Sequence, residues 1–224
     1  MKSIVFDTSS IISLVTNDLL HVLNDLKKYF GGEFYIPNSV KYELIDKPLS
    51  SKKFKLEAMM VSKFIDSGIF TVNKELDVEN LLLTANSIYS AHGKNIHILD
   101  KAEIEALALA VKMNSSVYVV DERTMRLLVE DYAKLGRLLA KKLNTRITVN
   151  KRMFKEFMEQ TGKVNIIRST ELMTVAFEKG LIKNYVGEYK KEDVIDALLW
   201  GLKLRGCAIS TEEINDIVKM ESRL

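Results

Sequence analysis

Residues 4–12 read IVFDTSSII. An apolar run suited to a buried strand ends on a carboxylate, Asp7, and three hydroxyl side chains follow before apolar character resumes. Burying an unpaired carboxylate costs on the order of several kcal/mol. The pattern therefore places Asp7 at the carboxyl end of a strand, facing a cation or hydrogen-bond donors. In open parallel sheets that edge is where ligands bind. The same stretch excludes two other strand-first enzymes. A dinucleotide-binding turn requires glycines after the first strand, and DTSS has none. A phosphatase that forms an aspartyl-phosphate requires a second Asp two residues after the first, and position 9 is Ser.

Working outward, runs of β-branched and aromatic residues recur at EFYI (33–36), IFTV (69–72), SVYVV (116–120) and VNII (164–167), after SIVF (3–6). Segments of helical periodicity separate them, roughly 14–30, 38–46, 52–67, 77–91, 101–113, 122–143, 150–161, 169–180, 190–205 and 210–222. Such alternation predicts an α/β fold with a central, mainly parallel five-stranded sheet covered by helices. With 224 residues, 47% of them hydrophobic, the chain can bury one good core or a core plus a small appendage. No stretch approaches the roughly 18–20 uncharged apolar residues of a membrane span, and Asp7 interrupts what would be a signal peptide. The expected setting is the cytoplasm, with no membrane partner. A lone cysteine, Cys207, forms no internal disulfide, and no Cys/His cluster points to zinc.

Acidic residues recur at three further places where a strand ends or a helix begins. In YIPNSVKYEL, Pro37 ends the strand, Asn38 or Ser39 could cap a helix, and Glu43 lies one turn in. In LDKAEIEALALAVKM, Glu103 and Glu105 open an alanine-rich helix, and their spacing lets only one of them face a given site. Glu103 shares its face with Ala106 and Ala110, which favours it; DKAE at 100–103 also fits a capping box. Asp121, with Glu122 beside it, ends the strand SVYVV, and strand alternation aims one of the pair at the edge. Carboxylates gathered at one edge raise each other's pKa unless a cation neutralises them. A hard divalent ion does so, and it can activate a water against a phosphodiester.

These four motifs, IVFDTSS, IPNSVKYEL, AEIEALALA and SVYVVDERTMR, resemble the PIN-domain ribonucleases in residue type and spacing. The resemblance covers roughly residues 1–133 and resumes at VNIIRSTELMTVAFEKGLI. It implies a PIN-like α/β/α sandwich, a Mg²⁺- or Mn²⁺-dependent endoribonuclease and a tendency to form homodimers, with a protein inhibitor as a possible partner. Carried over by position, the catalytic and metal-holding acids are Asp7, Glu43, Glu103 and Asp121, with Ser9 or Thr8 as a hydroxyl contact and Glu105 and Glu122 as substitutes. The competing reading is a PIN-like RNA-binding or protein-interaction module whose acids are structural. One departure from the toxin branch of the family is Glu rather than Asp at position 103.

The charge of the chain is unevenly spread. Residues 1–133 carry 15 basic and 18 acidic side chains, whereas 134–155 carry eight basic and none acidic. The eight are Lys134, Arg137, Lys141, Lys142, Arg146, Lys151, Arg152 and Lys155. Residues 134–162 read as a basic helical insertion suited to an RNA backbone, and 163–224 as the last strand and C-terminal helices closing the same domain. Lysines along a helix are more often a solvated face. Trp200, at helical spacing with its apolar neighbours, reads as core or dimer contact.

Overall fold

Every strand-like run of the sequence pairs into one sheet in the computed structural model, which describes residues 2–74, 76–182 and 189–221. The first half runs β1 (Ser3–Phe6), α1 (Thr8–Val15), α2 (Val22–Phe30), β2 (Glu33–Pro37), α3 (Asn38–Lys41), a π-helical turn (Tyr42–Asp46), α4 (Lys47–Leu49), α5 (Lys55–Asp66) and β3 (Phe70–Asn73). Next come α6 (Glu79–Ala85), β4 (Tyr89–Ala91), β5 (Lys94–Asn95), α7 (Lys101–Lys112), β6 (Val117–Val119), α8 (Arg123–Glu130) and α9 (Tyr132–Leu143). The chain continues with β7 (Thr148–Val149), α10 (Lys151–Thr161), β8 (Ile166–Ile167), α11 (Ser169–Glu178), α12 (Lys191–Leu204) and α13 (Thr211–Glu221).

The main sheet has the order β3-β2-β1-β6-β8, and all four pairings are parallel. From β1 the chain moves outward through β2 to β3, then crosses to the other side of β1 for β6. The order reverses between β1 and β6, which makes their carboxyl ends the topological switch point where open α/β sheets bind ligands. Both strands are buried apolar segments, as expected of a parallel sheet covered on both faces. Phe6 packs against Phe34 and Phe70 with ring centroids 5.2 and 5.3 Å away, inclined at 55° and 77°. Tilted and edge-on aromatic pairs of this kind contribute about 0.5–1.5 kcal/mol each beyond their buried area. The residue immediately before Asp7 is therefore firmly anchored. Among the described residues no helix is long and apolar enough to cross a membrane.

Several helix boundaries differ from the sequence expectation. The first helix starts at Thr8 rather than near 14 and ends before Asp18, which adopts a left-handed φ of 57°. The expected helix over 77–91 stops at Ala85, because His92 and Gly93 form a two-residue turn with φ of 50° and 75° and pair β4 antiparallel with β5. Two successive positive φ values are the signature of a type I′ hairpin. β7, from within 134–162, adds to β4 and completes a second, three-stranded antiparallel sheet, so that segment is not purely helical. The expected helix over 122–143 breaks at Asp131, whose φ of −152° is not helical and whose side chain caps α9 by accepting from the Lys134 amide at 2.8 Å. Trp200 packs partly buried against the core.

Candidate active site

The hydroxyls of DTSS tie the carboxyl edge together. Asp7 ends β1 and caps α1: its Oδ2 accepts from the Ser9 amide at 3.1 Å and the Ser9 hydroxyl at 2.6 Å. Ser9 Oγ in turn accepts from the Asp121 amide at 3.0 Å, so one hydroxyl bridges the ends of β1 and β6. Ser10 Oγ donates to the Asp7 carbonyl at 2.8 Å and lies 3.2 Å from the Val119 carbonyl, fastening the same two strands from below. Thr8 Oγ1 donates to Glu43 Oε2 at 2.7 Å, reaching towards the β2 side. Capping and site-building are thus combined in four consecutive residues.

Glu43 is presented from the π-helical turn that follows α3. Such turns widen a helix locally and are frequent at functional sites. Neither Asn38 nor Ser39 supplies the side-chain cap; Pro37 occupies that position and α3 begins at Asn38. Lys41, a potential partner of Glu43, instead pairs with Asp46 at 2.9 Å, which leaves Glu43 to Thr8.

Glu103 and Glu105 part company as helical geometry requires. Glu105 is fully buried and accepts from the Ser39 amide at 3.3 Å and the Leu76 amide at 2.9 Å, so it fixes α3 and the segment after β3. Glu103 Oε2 accepts from the Asp100 amide at 2.8 Å, its half of the capping box, and Glu103 also lies within electrostatic reach of Asp7. At the end of β6 the division is equally sharp. Glu122 caps α8 by accepting from the Met125 amide at 2.9 Å, whereas Asp121 turns inward.

Asp121 is held by Ser169, which lies outside the four acidic motifs. The Ser169 amide donates to Asp121 Oδ1 at 2.7 Å and the Ser169 hydroxyl to Oδ2 at 2.6 Å. Ser169 opens α11 directly after β8, so Asp7, Asp121 and Ser169 come from three adjacent strands of the sheet. The signal was present in IIRSTEL, a hydroxyl pair following a strand, as in VFDTSS. Behind it, Arg168 is buried, pairs with Glu171 and with Glu213 (2.9 Å), and donates to the Ala208 carbonyl at 2.9 Å. The Ala208 amide donates to the Asp121 carbonyl at 3.2 Å, which latches the C-terminal helices onto the same edge.

The electrostatics set Asp7 and Glu103 apart. Burial pushes the Asp7 carboxyl up to about 6, against the hydrogen bonds from Ser9 and Thr8 and with the Glu43 charge adding to the rise. Burial likewise raises Glu103 to about 8, opposed by the Asp100 amide and reinforced by the charges of Asp7, Glu122 and Asp100. Beneath them the Tyr118 phenol is held well above its ordinary value by burial and then by the charges of Asp7, Glu103 and Glu122. These acids share one field. Asp7 is 1% exposed, and its Oδ1 has no hydrogen-bond partner.

A family model described as a PIN domain matches residues 3–133, more than half of the chain. The chain belongs to the PIN-domain family. No curated protein and no solved structure gives a significant match. PIN domains are in general nucleases that use divalent metal ions. In this PIN domain the unpartnered, buried Oδ1 of Asp7 is a vacant acceptor of the kind a cation satisfies. The other acids are more committed: both Asp121 oxygens are taken by Ser169, and Glu103 and Glu43 each carry one hydrogen bond. Among the described residues no group of three or more His, Cys, Asp or Glu side chains is drawn together tightly enough to hold a metal ion. A divalent ion held at such a site would touch one or two carboxylates and keep waters rather than sit in an all-protein cage. The eight basic residues of 134–155 are exposed on α9, α10 and the strand-bearing loop between them.

Proposed function

We propose that this PIN domain is a metal-dependent endoribonuclease. The observation that carries the reading is Asp7: a fully buried carboxylate at the switch point of a parallel sheet, with one oxygen unsatisfied and a second raised carboxyl, Glu103, within its field. A divalent ion bound there, Mg²⁺ or Mn²⁺, supplies charge neutralisation and Lewis acidity toward a phosphodiester. Asp7 Oδ1 would be its direct ligand. Glu43, Glu103 and Asp121 would hold its waters from the ends of their own hydrogen bonds, and Ser9 keeps Asp7 Oδ2 engaged, which leaves Oδ1 as the oxygen without a protein donor. Ser169 fixes the rotamer of Asp121 through two charge-assisted bonds. Resemblance to the family implies 5′-phosphate and 3′-hydroxyl products.

The test is incubation of the purified protein with cellular RNA, with and without Mn²⁺, followed by sequencing of the new ends. The reading expects Mn²⁺-dependent cuts that Asp7→Asn abolishes; full Mn²⁺-dependent activity in that variant contradicts it. One observation favours the non-enzymatic module, namely the full occupation of Asp121 by Ser169. Absence of any metal-induced rise in melting temperature would select that module.

A further inference from the structure

We infer that α9, the loop carrying β7, and α10 form a basic ridge that binds single-stranded RNA on its way to the carboxylate edge; this rests on the ribonuclease reading for its direction, not for the ridge itself. All eight cations of residues 134–155 are exposed, and the acids next in sequence, Glu130, Asp131, Glu156 and Glu159, lie only at the margins. Of the eight, Lys155 makes an exposed ion pair, 3.6 Å from Glu159. On α9, Lys134, Arg137 and Lys141 recur at i, i+3 and i+7, one face of a helix about 18 Å long. Tyr132 stacks on Phe154 with ring centroids 3.9 Å apart, which sets the start of α9 against the first turns of α10 and brings Lys134 into the neighbourhood of Lys151, Arg152 and Lys155.

The solvated-face explanation accounts for only part of this. Lys141 and Lys142 lie in the last turn of α9, where cations complement the helix dipole. Lys151 and Arg152 lie in the first turn of α10, where no acid accompanies them and where positive charge opposes the dipole. Helix stability does not favour them there, whereas attraction of a polyanion does.

The packing directs the ridge. The Asn150 amide, at the start of α10, donates to the Ile88 carbonyl at 2.7 Å, and two residues earlier Asn86 Oδ1 accepts from the Ile98 and Leu99 amides just ahead of α7. At the other end, Gln160 of α10 shares the wall of one cleft with Val111 and Lys112 of α7. The two helices therefore run side by side in the same direction, with Lys151 and Arg152 at the end of α7 that carries Glu103. The close approach of Gly136 to Tyr89, whose hydroxyl donates to the Tyr132 carbonyl at 2.7 Å, fastens α9 to the same platform. Carboxylates at the edge repel a phosphodiester, and a flanking cationic track offsets that repulsion over several nucleotides.

The experiment compares the full chain with a variant in which Lys134, Arg137, Lys151 and Arg152 are all changed to Gln. A labelled 20-nucleotide polyuridylate measures binding in EDTA across a salt series. Hydrolysis of bis(p-nitrophenyl) phosphate with Mn²⁺ measures the carboxylate site without a polyanion. The inference predicts at least tenfold weaker binding and a salt dependence shallower by about 3, from roughly 0.7 per lost phosphate contact on a single strand, with hydrolysis of the small ester unchanged. Unchanged affinity and slope would overturn the ridge whatever the esterase result. A weakened, flatter binding curve with no hydrolysis in either protein would retain the ridge and count against the ribonuclease reading instead.

Discussion

Replacing Asp7 with Asn in the metal-free protein should stabilise it at neutral pH, contrary to what loss of a buried hydrogen-bonded residue usually does. Asn preserves the volume and the carbonyl oxygen that accepts from Ser9, and places an amide where Oδ1 has no partner. The magnitude follows from the carboxyl being raised from 3.8 to about 6. As pH rises through 3.8 the unfolded chain releases its proton first, so folding stability falls until the folded carboxyl ionises near 6 and is flat above that. The wild-type cost reaches about 3 kcal/mol. At about 2–4 °C per kcal/mol for a chain of this size, Asp7→Asn should melt roughly 6–12 °C higher than wild type at pH 8 in EDTA. The gain should shrink towards zero near pH 4. Saturating Mn²⁺ should raise the melting temperature of wild type and leave the variant nearly unmoved. Differential scanning calorimetry across pH 4–8 reads both effects. An Asn variant that melts lower than wild type at pH 8, by an amount independent of pH, would refute the claim that Asp7 is a strained acid awaiting a cation.

Other perturbations separate the roles of neighbouring groups. Ser169→Ala removes the 2.6 Å hydroxyl bond to Asp121 and should cost about 1.5–3 kcal/mol, with Mn²⁺-dependent cleavage reduced at unchanged RNA affinity; wild-type turnover in that variant would free Asp121 of its dependence on Ser169. Glu105→Ala leaves the Ser39 and Leu76 amides without their acceptor and should destabilise by roughly 2–4 kcal/mol in urea melts, while the Mn²⁺-induced shift persists. For Glu103→Gln the pattern reverses: stability in EDTA at pH 6–7 holds or improves, because a carboxyl raised to about 8 loses its burial penalty, and the metal response weakens. Thr8→Val should loosen Glu43 by removing its 2.7 Å donor, which is read as a higher Mn²⁺ requirement for cleavage.

The sheet was legible because its strands are short, apolar and spaced by helices, and because a parallel sheet buries both faces. Asp7 and Asp121 could be read from the cost of ending a buried strand on an acid. Helical spacing separates Glu103 from Glu105, but periodicity says nothing of what Glu105 does, since its two amide donors come from distant segments. A hydroxyl pair after a strand signals only a helix start, and the hold of Ser169 on Asp121 appears only when β8 lies beside β6. The expected helix over 77–91 takes in β4 because His-Gly, just beyond it, is a weaker turn signal than Asn-Gly, and the expected helix over 122–143 runs through Asp131 because Asp is tolerated within helices until it caps the next one.

Where a divalent ion sits is the most direct test of the role of Asp7. Crystals equilibrated with Mn²⁺ and measured at its absorption edge should show an anomalous peak about 2.0–2.2 Å from Asp7 Oδ1, with Glu43, Glu103 and Asp121 reaching the ion or its waters. A saturated crystal with no peak at Asp7, its Oδ1 still facing only protein, would contradict it.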